Sequence, residues 1–211
     1  MIPSGVLRAL EREIGLDADC LGESAIAAAI SDRVRATGAG TAEEYASRYL
    51  VIPGEMQALV NRVVVPETWF FRVPESFAEI EQRAREIVAE GRTFRAACIP
   101  CSTGEEPYSL ALTLCDSGLS PDAWEIDAAD ASTEAIAAAR RGIYREPSMR
   151  GVSTTIRDRH FRAGPGGWEL STAIRDRVRI ATGNVLDSML FAERAGEYDA
   201  VFCRNLLIYL T

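Results

Sequence analysis

The chain has 211 residues, 47% of them hydrophobic and 26% charged, with a net charge of −8. That length buries one sizeable core plus a smaller one, in proportions ordinary for a soluble globular protein. The acidic balance argues against a nucleic-acid binder, whose affinity rests on neutralising phosphates. No apolar run approaches the roughly 18 residues of a membrane span, and the N-terminus lacks a signal-peptide pattern. All 23 basic residues are arginine, a side chain suited to carboxylate recognition. An odd count of five cysteines, with no secretory signal, fits reduced thiols and a cytoplasmic setting.

Residues 1–62 carry helical periodicity only and are expected to form a small helical domain. Val6, Leu7, Leu10 and Ile14 share one face, and Ile26, Ala29, Ile30 and Val34 share the next. Thr41-Ala-Glu-Glu44 is a capping box ahead of Tyr45, Tyr49 and Leu50. Pro53-Gly54 breaks that helix, and Glu55 to Val64 forms another. Val63-Val-Val-Pro-Glu67 reads as the linker into a second domain, residues 63–211, whose first helix runs from Ser76 to Ala89.

The second domain opens with a small-residue strand, Phe94 to Ile99, and a tight turn at Ser102-Thr103-Gly104. Glu105-Glu106-Pro107 then start an apolar helix running to Cys115; proline and acidic side chains both suit a first helical turn. A second strand, Trp124 to Ala129, ends at Asp130, 25 positions after Glu105. An Ala-rich helix follows and stops at Gly142. An acid about 20 residues past the first turn, at the tip of the second strand, is how doubly wound α/β folds hold ribose hydroxyls. A lone acid there is more often a helix N-cap, so the order and spacing of the two blocks carry the reading. Acidic residues repel phosphate, so the ligand should offer a cation and hydroxyls. S-adenosylmethionine, with its ammonium, sulfonium and ribose diol, meets that demand.

Residues 148–182 interrupt the alternation. His160-Phe-Arg, Trp168-Glu-Leu and Val178-Arg-Ile read as short β segments around the Gly164-Pro-Gly-Gly167 turn. Val178–Ala181 also serves as the strand before Asn184-Val185, and Ala200–Cys203 is a late buried strand. Cys98-x-x-Cys101 has no second pair and His160 is the one histidine, so no metal is expected.

Three long stretches resemble one family. Thr68-Trp-Phe-Phe-Arg72 looks like its Thr-x-Phe-Phe-Arg signature, Cys101-Ser-Thr-Gly-Glu-Glu-Pro-Tyr-Ser-Leu110 its cofactor turn, and Asp199-Ala-Val-Phe-Cys-Arg-Asn-Leu-Leu-Ile-Tyr209 its late strand. The family is the chemoreceptor glutamate O-methyltransferases, the CheR family. The Val65-Pro-Glu-Thr-Trp-Phe-Phe-Arg72 wording looks most like the branch serving surface-sensing, biofilm-type pathways, where tetratricopeptide repeats often follow the catalytic unit. The resemblance implies an α/β, Rossmann-like S-adenosylmethionine-dependent fold with an N-terminal helical domain and a small β-subdomain inserted at 148–182. It implies methyl transfer to glutamates of methyl-accepting chemoreceptor cytoplasmic domains, with S-adenosylhomocysteine as product. No nucleic acid or membrane insertion is implied, and a monomer is expected.

Site roles follow from the same resemblance. Asp130 should accept from the ribose diol, and Glu105 should hold the methionyl ammonium or stabilise the turn. Asn184 and Val185 should border the adenine, and Thr68 and Arg72 sit where the family contacts the cofactor. Arg204 and Asn205 should close the pocket; Arg72 and Tyr209 are the candidates to position the reacting carboxylate. Arg8, Arg12, Arg33 and Arg35 are candidates to dock acidic receptor helices, Arg8 and Arg12 being the better pair. Two departures stand out. Pro66 replaces a polar cofactor contact common among relatives. The chain also stops at Thr211, where the fold normally continues through further helices and strands, so full activity of this stretch is in doubt. The alternatives are a methyltransferase acting on a small molecule or RNA, and a non-catalytic cofactor-binding scaffold.

Overall fold

The computed structural model describes residues 2–15, 22–49, 52–64 and 67–204. The expectations placed on Leu50, Pro66, Asn205 and Tyr209 lie outside the described residues. Four helices come first: α1 Ser4–Ile14, α2 Glu23–Thr37, α3 Ala42–Arg48 and α4 Glu55–Val63. Their apolar stripes meet in one core around Val6, Leu10, Ile26, Ile30, Tyr45 and Leu59. Thr41 caps α3 by accepting the Glu44 N–H at 3.0 Å, while the Glu44 carboxylate reaches back to the Gly40 N–H at 2.8 Å. Glu55, only 3% exposed, takes both Arg33 Nε and Nη2 at 2.8 Å and the Tyr45 hydroxyl at 3.0 Å. Arg33 therefore locks the bundle from within and is removed from the set of docking arginines, whereas Arg8, Arg12 and Arg35 stay exposed.

The α/β part follows: α5 Pro74–Ala89, β1 Phe94–Cys98, α6 Glu105–Asp116, β2 Trp124–Asp130 and α7 Thr133–Arg141. Next come β3 Ile143–Tyr144, α8 Glu146–Met149, α9 Thr154–His160, β4 Phe161–Gly164 and β5 Gly167–Leu170. The series closes with α10 Thr172–Arg175, β6 Val178–Thr182 and β7 Ala200–Phe202. The main sheet has the order β6-β2-β1-β7 and is parallel throughout. Ala96, Cys98, Ile126 and Ala128 of its central strands share one buried core with Leu110, Leu112 and Leu114 of α6. No described helix is long and apolar enough to cross a membrane.

The small sheet, order β3-β5-β4, is antiparallel, with its hairpin closed at Gly164 and Gly167. Its extent corrects the 148–182 expectation. It begins earlier, at Ile143, because a two-residue strand leaves no periodicity to read. It also loses Val178–Thr182, which pairs in parallel with β2 and sends Val178 into the main core. Residues 154–160 are helical, capped by Ser153 Oγ accepting the Ile156 N–H at 3.2 Å.

Candidate functional site

β1 and β2 lie side by side and end together, so the turns after them share one sheet edge, where open α/β sheets bind ligands. Gly104 holds a left-handed φ of 95°, and a Cβ there would lie 2.8 Å from the Tyr108 ring and 2.9 Å from Ala139 Cβ. Only glycine lets the turn run straight into α6. Asp130 joins the two turns: its oxygens accept the Ser102 and Ser132 N–H groups, each at 2.8 Å. Glu105 accepts the Thr103 hydroxyl at 2.6 Å on one oxygen and the Ser148 hydroxyl at 2.9 Å on the other. Both acids are 2% exposed, and burial raises both above the ordinary carboxylate range despite these bonds. No described cation pairs with either. The neighbouring Glu106 differs: it is matched by the Arg204 guanidinium. Two buried carboxylates with spare lone pairs and no cation form a site that favours an ammonium or a diol.

The Thr68–Arg72 signature packs against this turn. Phe71 and Val73 hold left-handed φ values of 54° and 62°, and Ser102 holds 49°. Those are three of the four non-glycine residues with positive φ among the described residues; strain of this kind concentrates at binding sites. The Phe71 N–H donates to Ser109 Oγ at 2.9 Å, and the Phe70 N–H to the Ser148 carbonyl at 2.9 Å. Two guanidiniums contact the Trp69 ring, Arg72 at 4.4 Å and Arg150 at 3.5 Å from its centre. Arg72 spends one N–H on the Glu67 carbonyl at 3.0 Å, leaving most of its fork unused.

Among the expected site residues, the fold brings Glu105 and Asp130 onto one edge, with Asn184 beside them through the Gly183 N–H bond to the Asp130 carbonyl, 3.0 Å. Thr68 is half-buried on the signature loop, and Val185 stands 38% exposed beyond β6. Asn184 donates to the Glu13 carbonyl at the end of α1, so the helical bundle reaches this edge. Arg204 is held over Phe77 and Phe202 and against Glu106, which makes it a prop for the wall. Cys98 and Cys101 are buried thiols pushed well up by burial, packing as small apolar groups.

Several contributors escaped the sequence reading. Tyr144 donates to the Thr103 carbonyl at 2.9 Å, and Ser148 holds Glu105 from 43 residues away. Gln57 donates to the Ala131 carbonyl at 2.8 Å, and Asn61 bonds Ser132 and Thr133 at 3.1 and 3.0 Å. None lies in a motif; only the folded contacts reveal them.

A parallel sheet that ends in a glycine turn and two buried acids without a cation has the layout of a Rossmann-like cofactor-binding edge. Residues 66–211 match the family model described as CheR methyltransferase, SAM binding domain, and the chain belongs to that family. It is 46% identical over 205 residues to the "Probable biofilm formation methyltransferase WspC" of Pseudomonas aeruginosa, covering 96% of this chain and 48% of that protein. The Pseudomonas putida protein of the same name is 43% identical over the same span. The "Chemotaxis protein methyltransferase" of Escherichia coli is 37% identical over 161 residues, 74% of this chain and 54% of that protein. The chain thus spans about half the length of the curated relatives it matches.

Proposed function

We propose that this chain supplies the cofactor site and catalytic core of a protein-glutamate O-methyltransferase that modifies methyl-accepting chemoreceptor cytoplasmic domains and so tunes chemosensory signalling. The observation that carries it is the pair Glu105 and Asp130, buried, acidic and without a cation. They fit S-adenosylmethionine: Glu105 for the ammonium, Asp130 and its turn for the ribose diol, Asn184 and Val185 for the adenine edge. The cofactor supplies an electrophilic methyl on sulfur, and a glutamate carboxylate, ionised at neutral pH, needs no base. The protein's task is alignment and exclusion of water. Thr68 and Arg72 serve on the signature side, Arg204 and Asn205 at the closing edge, and Tyr209 and Arg72 at the reacting carboxylate. Residues 1–62 form the docking domain and 63–211 the catalytic one, in a cytoplasmic monomer. The names of the relatives support the methyltransferase part of this picture.

Methyl transfer from labelled S-adenosylmethionine to purified chemoreceptor cytoplasmic domains tests the reading: base-labile label on receptor glutamates is expected, and none on any receptor from the same cell would refute it. In that assay Arg8→Glu/Arg12→Glu should lower the association rate and flatten its salt dependence. Methylation unaltered at low salt would reject this docking face alone.

Asp130→Ala is expected to weaken S-adenosylhomocysteine binding by about 1–3 kcal/mol and to lower the melting temperature, since the Ser102 and Ser132 N–H groups lose their acceptor. Calorimetry and melting read the two effects. Unchanged affinity would remove Asp130 from the cofactor site, and an unchanged melt would deny its turn-joining role.

A further inference from the structure

We propose that Ser148 is a positioning residue for the cofactor's ammonium, acting through Glu105, so that the segment between β3 and β4 forms one wall of the cofactor site. This deepens the reading above and rests on it. Ser148 stands on α8, outside every motif, yet it is fixed at both ends. Its carbonyl accepts the Phe70 N–H of the signature loop at 2.9 Å. Its hydroxyl donates to Glu105 Oε1 at 2.9 Å, opposite the Thr103 hydroxyl on Oε2 at 2.6 Å. Two hydroxyl donors hold the carboxylate in one orientation and leave each oxygen a further lone pair. They also favour its ionised form, the form an ammonium requires, against the burial that opposes it.

Beside the Thr103 hydroxyl and the backbone N–H of Glu105 itself, which also favour the carboxylate, the surroundings leave that task to the Ser148 hydroxyl. On its own helix Glu106 is tied to Arg204, and Arg72 acts on Glu106 as well. From the turn comes the Cys101 thiol, from β2 the Asp130 carboxyl, and from β3 the Tyr144 phenol; burial raises all three, and none supplies positive charge. Deleting the Ser148 hydroxyl removes one of two side-chain donors, so Glu105 should hold its proton to higher pH.

The experiment is calorimetry of S-adenosylhomocysteine binding from pH 5 to 9 on the protein, Ser148→Ala and Ser148→Thr. In the wild type, affinity should fall on the acid side, as Glu105 protonates, and on the alkaline side as the ligand's amino group deprotonates. Ser148→Ala should move the acid limb to higher pH, weaken binding about tenfold there, and leave the alkaline limb in place. Ser148→Thr, which keeps the hydroxyl, should return the acid limb toward wild type. An acid limb in Ser148→Ala superimposable on the wild type overturns the inference alone. A wild-type protein that binds no S-adenosylhomocysteine overturns the functional reading with it.

Discussion

Arg33→Met should cost about 3–5 kcal/mol of stability, the usual penalty for stranding one member of a buried ion pair. The stranded group is Glu55, 3% exposed and held by two Arg33 bonds and one from Tyr45. Hydrogen bonding to Arg33 keeps the Glu55 carboxyl below its ordinary range, against burial. A depressed folded value means stability that is present above the unfolded carboxylate value and lost as pH falls through the folded one. Wild-type stability should therefore sag on acidification. In Arg33→Met the carboxyl is raised, so the penalty should be largest near neutrality and shrink toward about pH 4, where Glu55 enters the fold protonated. Chemical denaturation followed by far-ultraviolet dichroism reads both effects. Arg33→Met/Glu55→Leu should recover much of the loss, because an apolar replacement of the whole pair leaves no stranded charge. A single variant as stable as wild type at pH 7 would show that the pair carries nothing.

Gly151→Ala should be among the most damaging single methyls in the α/β part. Its Cβ would lie 2.0 Å from the Phe70 carbonyl oxygen, a backbone atom that no rotamer change can move aside. The 148–151 segment must then lift off the signature loop, breaking the Ser148–Phe70 bond and the Arg150 stack on Trp69. A loss of about 2–3 kcal/mol is expected from the overpacking, together with at least about tenfold weaker S-adenosylhomocysteine binding. Gly5→Ala is the matched control, with nothing within 4 Å of the new methyl. It sits inside α1, where alanine is the better helix former, and should be neutral or slightly stabilising. Wild-type melting and affinity in Gly151→Ala would contradict the close approach.

The legible parts of this chain were those with local causes. The strands near Phe94, Trp124, Val178 and Ala200, the glycine turn and the acid after each of the first two strands follow from apolar runs, left-handed glycine and helix-start chemistry. Glu105 and Asp130 were readable because their spacing belongs to a local strand–turn–helix rhythm. What stayed hidden depends on chain returning from afar. Nothing in Glu-Pro-Ser-Met states that its serine will meet Glu105, and nothing in Asn-Arg-Val at 61–63 announces a bond to the turn after β2. The misassigned insert has the same origin: Val178-Arg-Ile alternates equally well for either sheet, and the parallel partner decides. Arg33 looked like a surface charge because its acceptor, Glu55, lies two helices away.

The bonds from Gln57 and Asn61 to the 131–133 turn span 74 to 71 residues, and Ser148 closes another 43 onto Glu105. Each pays a loop-closure entropy that local turns do not, so the ligand edge should be completed late in folding, after the sheet and the bundle have formed separately. A cofactor that engages only the finished edge then acts as a latch: it draws the population toward the fully docked chain by RT ln(1 + [L]/Kd). Protease resistance of the junction between bundle and sheet should accordingly rise with the concentration of added S-adenosylhomocysteine.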